Sequence, residues 1–151
     1  MVNRMIGATN GDAARPNGGP LADTRAIGIL IVDDQADVRR ALSSLLKLIP
    51  DCLLVGEAND GREALTLAFE IQPDLIIMDV NMPRMDGFEA TRKLRQMMPA
   101  ARVLILTQHD SPQAVAAAKG AGACGYLVKS DSRNLSRAIA AVSKGLPYFP
   151  A

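Results

Sequence analysis

The stretch "DLIIMDVNMPRMDGFEATRKLRQMM" (residues 74–98) contains a strand, a loop and a helix in succession. Leu75–Met78 form an unbroken apolar run, as in a strand buried on both faces. The run stops on an acid, Asp79. After a polar loop comes Asp86-Gly87-Phe88-Glu89, with the acid-to-glutamate spacing of a capping box. Phe88, Leu94 and Met98 then follow on the helix it opens. The two acids therefore have different expected roles. Asp86 caps a helix with Glu89 answering it, whereas Asp79 ends a buried strand, where a carboxylate is costly without a partner.

The same unit repeats on both sides. Upstream, "IGILIV" (27–32) reads as a buried strand, followed by Val38, Ala41, Leu42, Leu45, Leu46 and Ile49 at helical spacing. "CLLVGEA" (52–58) is the next strand, and Asp60-Gly-Arg-Glu63 opens a helix lined by Ala64, Leu65, Ala68 and Phe69. Downstream, "RVLIL" (102–106) precedes an alanine-rich helix near 112–120, whose composition fits a binding surface or simply good helix formers. "GYLV" (125–128) precedes a helix marked by Leu135, Ala138, Ile139 and Val142. Five strands alternating with five helices predict an α/β fold, a doubly wound parallel sheet covered on both faces.

Composition narrows the class. The chain has 151 residues, enough for one domain with a full core, and 48% of them are hydrophobic. Aromatics are only 3%, so the core is aliphatic. A net charge of +1, with basic residues scattered, gives no electrostatic reason to expect nucleic-acid binding by this segment. Cys52 and Cys124 read as buried free thiols in a reducing compartment, with no metal-binding spacing around them. No signal-peptide pattern and no membrane-spanning run is seen, so a cytoplasmic location and no membrane partner are expected. Residues 1–25 are Gly-, Asn-, Ala- and Pro-rich without periodicity and read as a flexible tail.

The residues at the strand ends carry the chemistry. The first strand ends in Asp33-Asp34, the third in Asp79, the fourth in Thr107, and the fifth just before Lys129. In a parallel sheet these carboxyl ends share one edge, where open α/β folds bind ligands. Two carboxylates about 4 Å apart repel by roughly 4 kcal/mol at an effective dielectric near 20. Protonation, the lysine or a cation must offset that. Oxygen ligands without His or Cys favour a hard cation, and few carboxylates suit Mg²⁺, with Asp33, Asp34 and Asp79 as ligands. Acids, Mg²⁺, a lysine and a hydroxyl together fit phosphoryl transfer, with Asp79 as nucleophile.

With "IVDDQADVRR", "IIMDVNMPRMDG", "LILTQHD" and "GACGYLVKS" in this order, the chain resembles a two-component response-regulator receiver domain. The resemblance covers about Ile27 to Gly145. It implies the flavodoxin/CheY-like (βα)5 fold with strand order 2-1-3-4-5, and a receiver domain over residues 26–146 followed by a linker starting at 147–151. It also implies that Asp79 accepts a phosphoryl group from the phosphohistidine of a sensor histidine kinase. Asp33, Asp34, Asp79 and the backbone carbonyl of Asn81 would hold Mg²⁺, and Thr107 and Lys129 would contact the phosphoryl group. Thr107 and Tyr126 would form a switch, and Asn81 and His109 would border the site and modulate dephosphorylation. Tyr126 also reads as a packing residue, and His109 as a solvated loop histidine. Lys129 is followed by Ser130 where many receivers have proline, which leaves the geometry of that peptide open. Lys-Ser and the ending "VSKGLPYFP" resemble the NarL/FixJ (LuxR-type) branch. That branch implies homodimer formation on phosphorylation and transcriptional output through a helix-turn-helix DNA-binding domain outside this chain.

Other readings compete. An aspartate-nucleophile phosphatase normally carries a D-x-D pattern on its first strand, whereas here that strand ends in Asp33-Asp34. A nucleotide or flavin binder on the same fold needs a phosphate loop, and "VDDQAD" would repel phosphate without a metal. A stand-alone receiver or phosphorelay protein has no DNA output, and a degenerate receiver would lack the key residues. The expectation is a signalling switch, not a turnover enzyme on an external substrate.

Overall fold

The computed structural model describes residues 25–150. Its strands are β1 (Ile27–Val32), β2 (Cys52–Ala58), β3 (Leu75–Met78), β4 (Val103–Thr107) and β5 (Gly125–Val128). The helices are α1 (Ala36–Lys47), α2 (Gly61–Ile71), α3 (Gly87–Met97), α4 (Pro112–Ala121) and α5 (Leu135–Ser143), with a 3₁₀ turn over Lys129–Asn134. All strand pairs are parallel, in the order β2-β1-β3-β4-β5. The fold is the one the resemblance implies. The tail expected over residues 1–25 lies, apart from Arg25, outside the described residues.

Alternation along the strands divides the core in two. Ile29, Ile31, Ile77, Leu104 and Leu106 face Leu42 and Leu46 of α1 and Leu135, Ile139 and Val142 of α5. Leu30, Val32, Ile76, Met78 and Ile105 face Ala64, Ala68, Ala90, Leu94 and Ala118 on the other three helices. Both faces are covered, which is why β1, β3 and β4 are almost wholly apolar up to the polar residues at their carboxyl ends. The alanines on the second face let α2, α3 and α4 sit close to the sheet without bulky side chains. Phe69 departs from the sequence reading. It is 66% exposed, because Ala64 and Ala68 take the inward positions of α2. Both cysteines are free and only partly buried.

The helix starts follow local chemistry. The Asp60 carboxylate accepts from the Glu63 N–H at 2.8 Å, and that of Asp86 from the Glu89 N–H at 2.8 Å. Glu63 answers through the Asn59 N–H at 2.7 Å, while Asp86 makes its cap without a reciprocal bond from Glu89 among the described residues. Ser111 caps α4 by accepting from the Ala114 N–H at 3.1 Å. Beyond α5, the Tyr126 N–H donates to the Tyr148 carbonyl at 2.7 Å, and the Tyr148 N–H to the Cys124 carbonyl at 3.2 Å. The segment expected to begin a linker thus lies on the free edge of β5, with Phe149 under the Lys119 ammonium at 5.0 Å. A Cβ on Gly125 would come within 3.1 Å of the Tyr148 carbonyl oxygen, so glycine keeps this edge open.

Candidate functional site

Strand register brings the site together. The Asp33 N–H donates to the Ala58 carbonyl at 3.1 Å and the Asp79 N–H to the Val32 carbonyl at 2.9 Å, so the ladders run on into the acids. Asp33, Asp34 and Asp79 each offer a carboxylate oxygen, and these oxygens all lie within 4.8 Å of one another. Asp33 and Asp79 are buried, at 1% and 7% exposure, whereas Asp34 is exposed. Thr107 is fully buried at the end of β4.

Lys129 enters from the end of β5. Its Nζ donates to Asp33 Oδ2 at 2.9 Å and lies 3.3 Å from Asp79 Oδ1. A single ammonium thus bridges two buried carboxylates. Burial, then the Asp33 charge, push the Asp79 carboxyl above the ordinary range, while Lys129 and the Val80 N–H pull it back. Burial works against the Lys129 ammonium, but Asp33 and Asp79 outweigh it and raise its pKa. One lysine does not neutralise three acids, and the oxygen-only donor set matches a hard divalent cation.

The acid pair after β1 is held from outside. Asp33 Oδ1 accepts from the Gln35 N–H at 2.9 Å, and Arg39 donates from NH1 to the Asp33 carbonyl at 2.6 Å. Arg39 also donates to Glu57 at 3.0 Å, tying the loop to β2. Reading the sequence did not single out Arg39. Its only signal was a cation one turn inside the helix that follows the acids.

The loop after β3 is closed by the Gly87 N–H, which donates to the Val80 carbonyl at 2.8 Å. A Cβ on Gly87 would lie 2.0 Å from the Asp79 carbonyl oxygen. Helix α3 therefore begins directly against the backbone of Asp79, which explains the glycine after the Asp86 cap. The side chain of Asn81 hydrogen-bonds the His109 ring, Nδ2 to Nε2, at 2.6 Å, so these residues meet across the mouth of the site. The His109 N–H donates to Thr107 Oγ1 at 3.3 Å.

Tyr126 is 1% exposed, and its hydroxyl donates to the His109 carbonyl at 2.7 Å. Burial, and then Asp110, raise its phenol pKa. The ring is inward, and its hydroxyl is bonded to the loop that follows Thr107. The peptide bond after Lys129 is trans, as are all those described, so serine there needs no unusual geometry. No described helix is long and apolar enough to cross a membrane.

Residues 29–140 match the response regulator receiver domain. The transcriptional regulatory protein LiaR of Bacillus subtilis (strain 168) is 39% identical over 122 residues, covering 80% of this chain and 58% of LiaR. The chain thus spans less than two thirds of that relative. A LuxR-family two-component response regulator from Aurantimonas sp. SI85-9A1 superposes with a TM-score of 0.79 at 40% identity, over 82% of this chain and 89% of that one. The signal receiver domain of NarL from Mycobacterium tuberculosis gives 0.76 at 33% identity, over 80% and 98%. With an acid cluster bridged by one lysine at the carboxyl edge of a 2-1-3-4-5 sheet, this chain belongs to the response regulator receiver domain family, in its NarL/FixJ branch.

Proposed function

We propose that the domain is a phosphorylation-driven switch whose phosphoacceptor is Asp79. The observation that carries this reading is the single ammonium of Lys129, 2.9 Å from Asp33 and 3.3 Å from Asp79 inside a buried acid pair. A carboxylate oxygen of Asp79 would attack the phosphorus of a phosphohistidine presented by a sensor histidine kinase. The P–N bond breaks, the imidazole leaves with its electron pair and takes a proton from solvent, and an acyl phosphate remains. Lys129 would shift its hydrogen bonding toward the incoming phosphoryl oxygens, and Thr107 would donate its hydroxyl to one of them. Asp33, Asp34, Asp79 and the Asn81 backbone carbonyl would hold Mg²⁺, which supplies charge neutralisation for the transferring group when bound.

Output would pass through the loop after β4. Thr107 accepts from His109, and the Tyr126 hydroxyl bonds the His109 carbonyl. Drawing Thr107 toward a phosphoryl group would pull on both contacts and change the surface around α4 and β5. Asn81 and His109, joined at the mouth, would set how readily water reaches the acyl phosphate. Pairing of Tyr148 with β5 supports a receiver unit whose packed part extends past 146, through Phe149, before any linker. The switch would work in the cytoplasm, homodimerise on phosphorylation and act on transcription through a DNA-binding domain outside this chain. It would not turn over external phosphate esters.

Incubation with Mg²⁺ and acetyl phosphate tests the reading. Intact mass should show one added phosphoryl group, lost with a chelator and absent in Asp79→Asn. Undiminished modification of Asp79→Asn would sink the assignment, and sustained release of phosphate from a monoester would favour the phosphatase.

A further inference from the structure

The loop between β3 and α3 begins at Asp79, and its Asn81, Pro83, Arg84 and Asp86 are exposed. Met82 and Met85 pack on the core below it, and the Val80–Gly87 hydrogen bond closes its base. Its tip is fixed differently. Arg84 donates from Nε and NH2 to Asp60 Oδ2 at 3.0 and 2.5 Å. Asp60 is only 6% exposed, and its other oxygen is the N-cap of α2. One carboxylate thus serves a helix with one oxygen and a loop with the other. Both the Glu63 N–H and Arg84 hold it below the ordinary carboxylate range, so it remains a charged anchor at neutral pH.

Two further observations concern the loop's shape. Arg84 has φ 68°, a left-handed conformation that a long side chain rarely adopts without a compensating interaction. Beside it, a Cβ on Gly61 would lie 2.8 Å from the Met85 carbonyl oxygen, so the first turn of α2 touches the loop backbone directly. The loop thus meets the start of α2 at two points, Arg84 on Asp60 and Met85 on Gly61.

We infer that Arg84 is a positioning residue: by clamping onto Asp60 it holds the β3–α3 loop so that the Asn81 carbonyl faces the acid cluster and completes the cation site. This rests on the cation site proposed for the receiver, but concerns a residue that touches neither cation nor phosphoryl group. The clamp should act on cation affinity and leave the chemistry at Asp79 alone once the cation is bound.

The test compares wild type, Arg84→Gly, Arg84→Lys and Asp60→Asn by calorimetric titration with Mg²⁺, and by acetyl phosphate labelling across the same Mg²⁺ range. Arg84→Gly removes the clamp while relieving the left-handed backbone, so a loop that needed only the right φ would be unharmed. Residues one step behind metal ligands change affinity about 10–100-fold, and this exposed, more remote contact should give about 3–10-fold weaker Mg²⁺ binding. The labelling rate at saturating Mg²⁺ should stay within about twofold of wild type, a split expected when only uniform binding is lost. Arg84→Lys should recover part of the affinity. Asp60→Asn keeps a capping oxygen but loses the charge, and should weaken binding in the same direction. Wild-type Mg²⁺ affinity in Arg84→Gly overturns the inference. So does an equal loss at saturating Mg²⁺, which would mean general damage to the site. If wild type binds Mg²⁺ but is not labelled, the phosphoacceptor reading fails while the calorimetry still decides the clamp.

Discussion

At the scale of single residues, the site is defined by unequal treatment of like groups. Asp79 sits in a buried acid pair, and burial with the neighbouring Asp33 raises its pKa above the unperturbed 3.8. A carboxyl whose folded pKa is raised binds protons more readily folded than unfolded. Stability is therefore lost as pH rises from the unfolded value to the raised folded one, and is regained on acidification through that window. In chelator at neutral pH, Asp79→Asn should be more stable to denaturant than wild type, by on the order of 1 kcal/mol, because Lys129 only partly offsets the repulsion. The gap should close as pH falls through the folded pKa of Asp79. A variant less stable than wild type at neutral pH would show that Asp79 is held by attraction instead. Asp79, Asp33, Asp34, Thr107 and Lys129 were all readable as the residues that terminate apolar strands. Arg39 and Arg84 were not, because their partners are a backbone carbonyl and a carboxylate from another unit, and neither contact leaves a periodic signal.

At the scale of elements, the β3–α3 junction separates two adjacent residues by mechanism. Asp86 contributes a cap, so Asp86→Ala should cost about 1 kcal/mol while Asp86→Ser costs much less. Gly87 contributes space, since a Cβ there would lie 2.0 Å from the Asp79 carbonyl oxygen. Gly87→Ala should cost about 3 kcal/mol or more and slow labelling of Asp79 by displacing the strand end. Denaturant unfolding of the three variants checks the order, and a Gly87→Ala protein as stable as Asp86→Ser would refute the packing account. Helix and strand existence was legible because apolar runs and capping acids are local. Phe69 misled because both faces of α2 carry apolar residues, and only the tertiary fold selects the alanine face. Pairing of Tyr148 with β5 was invisible for a related reason: its signals are one glycine opposite and a backbone register formed only in the folded chain.

At the scale of the whole molecule, the sheet gathers three acids and one lysine from positions far apart in sequence, so the acids are under-compensated by Lys129 alone, and the proposed cation would make up the difference. Mg²⁺ should therefore raise the melting temperature. At a hundred times its dissociation constant a ligand adds about 2.7 kcal/mol, or roughly 10 °C for a domain of this size. The rise should vanish in Asp34→Asn with Asp33→Asn, and an equal rise in that double variant would place the cation elsewhere. Alternation of strand and helix was enough to predict a parallel doubly wound sheet, but strand order depends on contacts between distant units and came only with the family resemblance. The central claim is that the acyl phosphate forms on Asp79. Borohydride reduction of the protein labelled with acetyl phosphate and Mg²⁺, followed by peptide mapping, tests this directly. Homoserine at position 79 and at no other acid is the predicted result; homoserine at Asp33, Asp34 or any other carboxylate, with Asp79 unchanged, would contradict it.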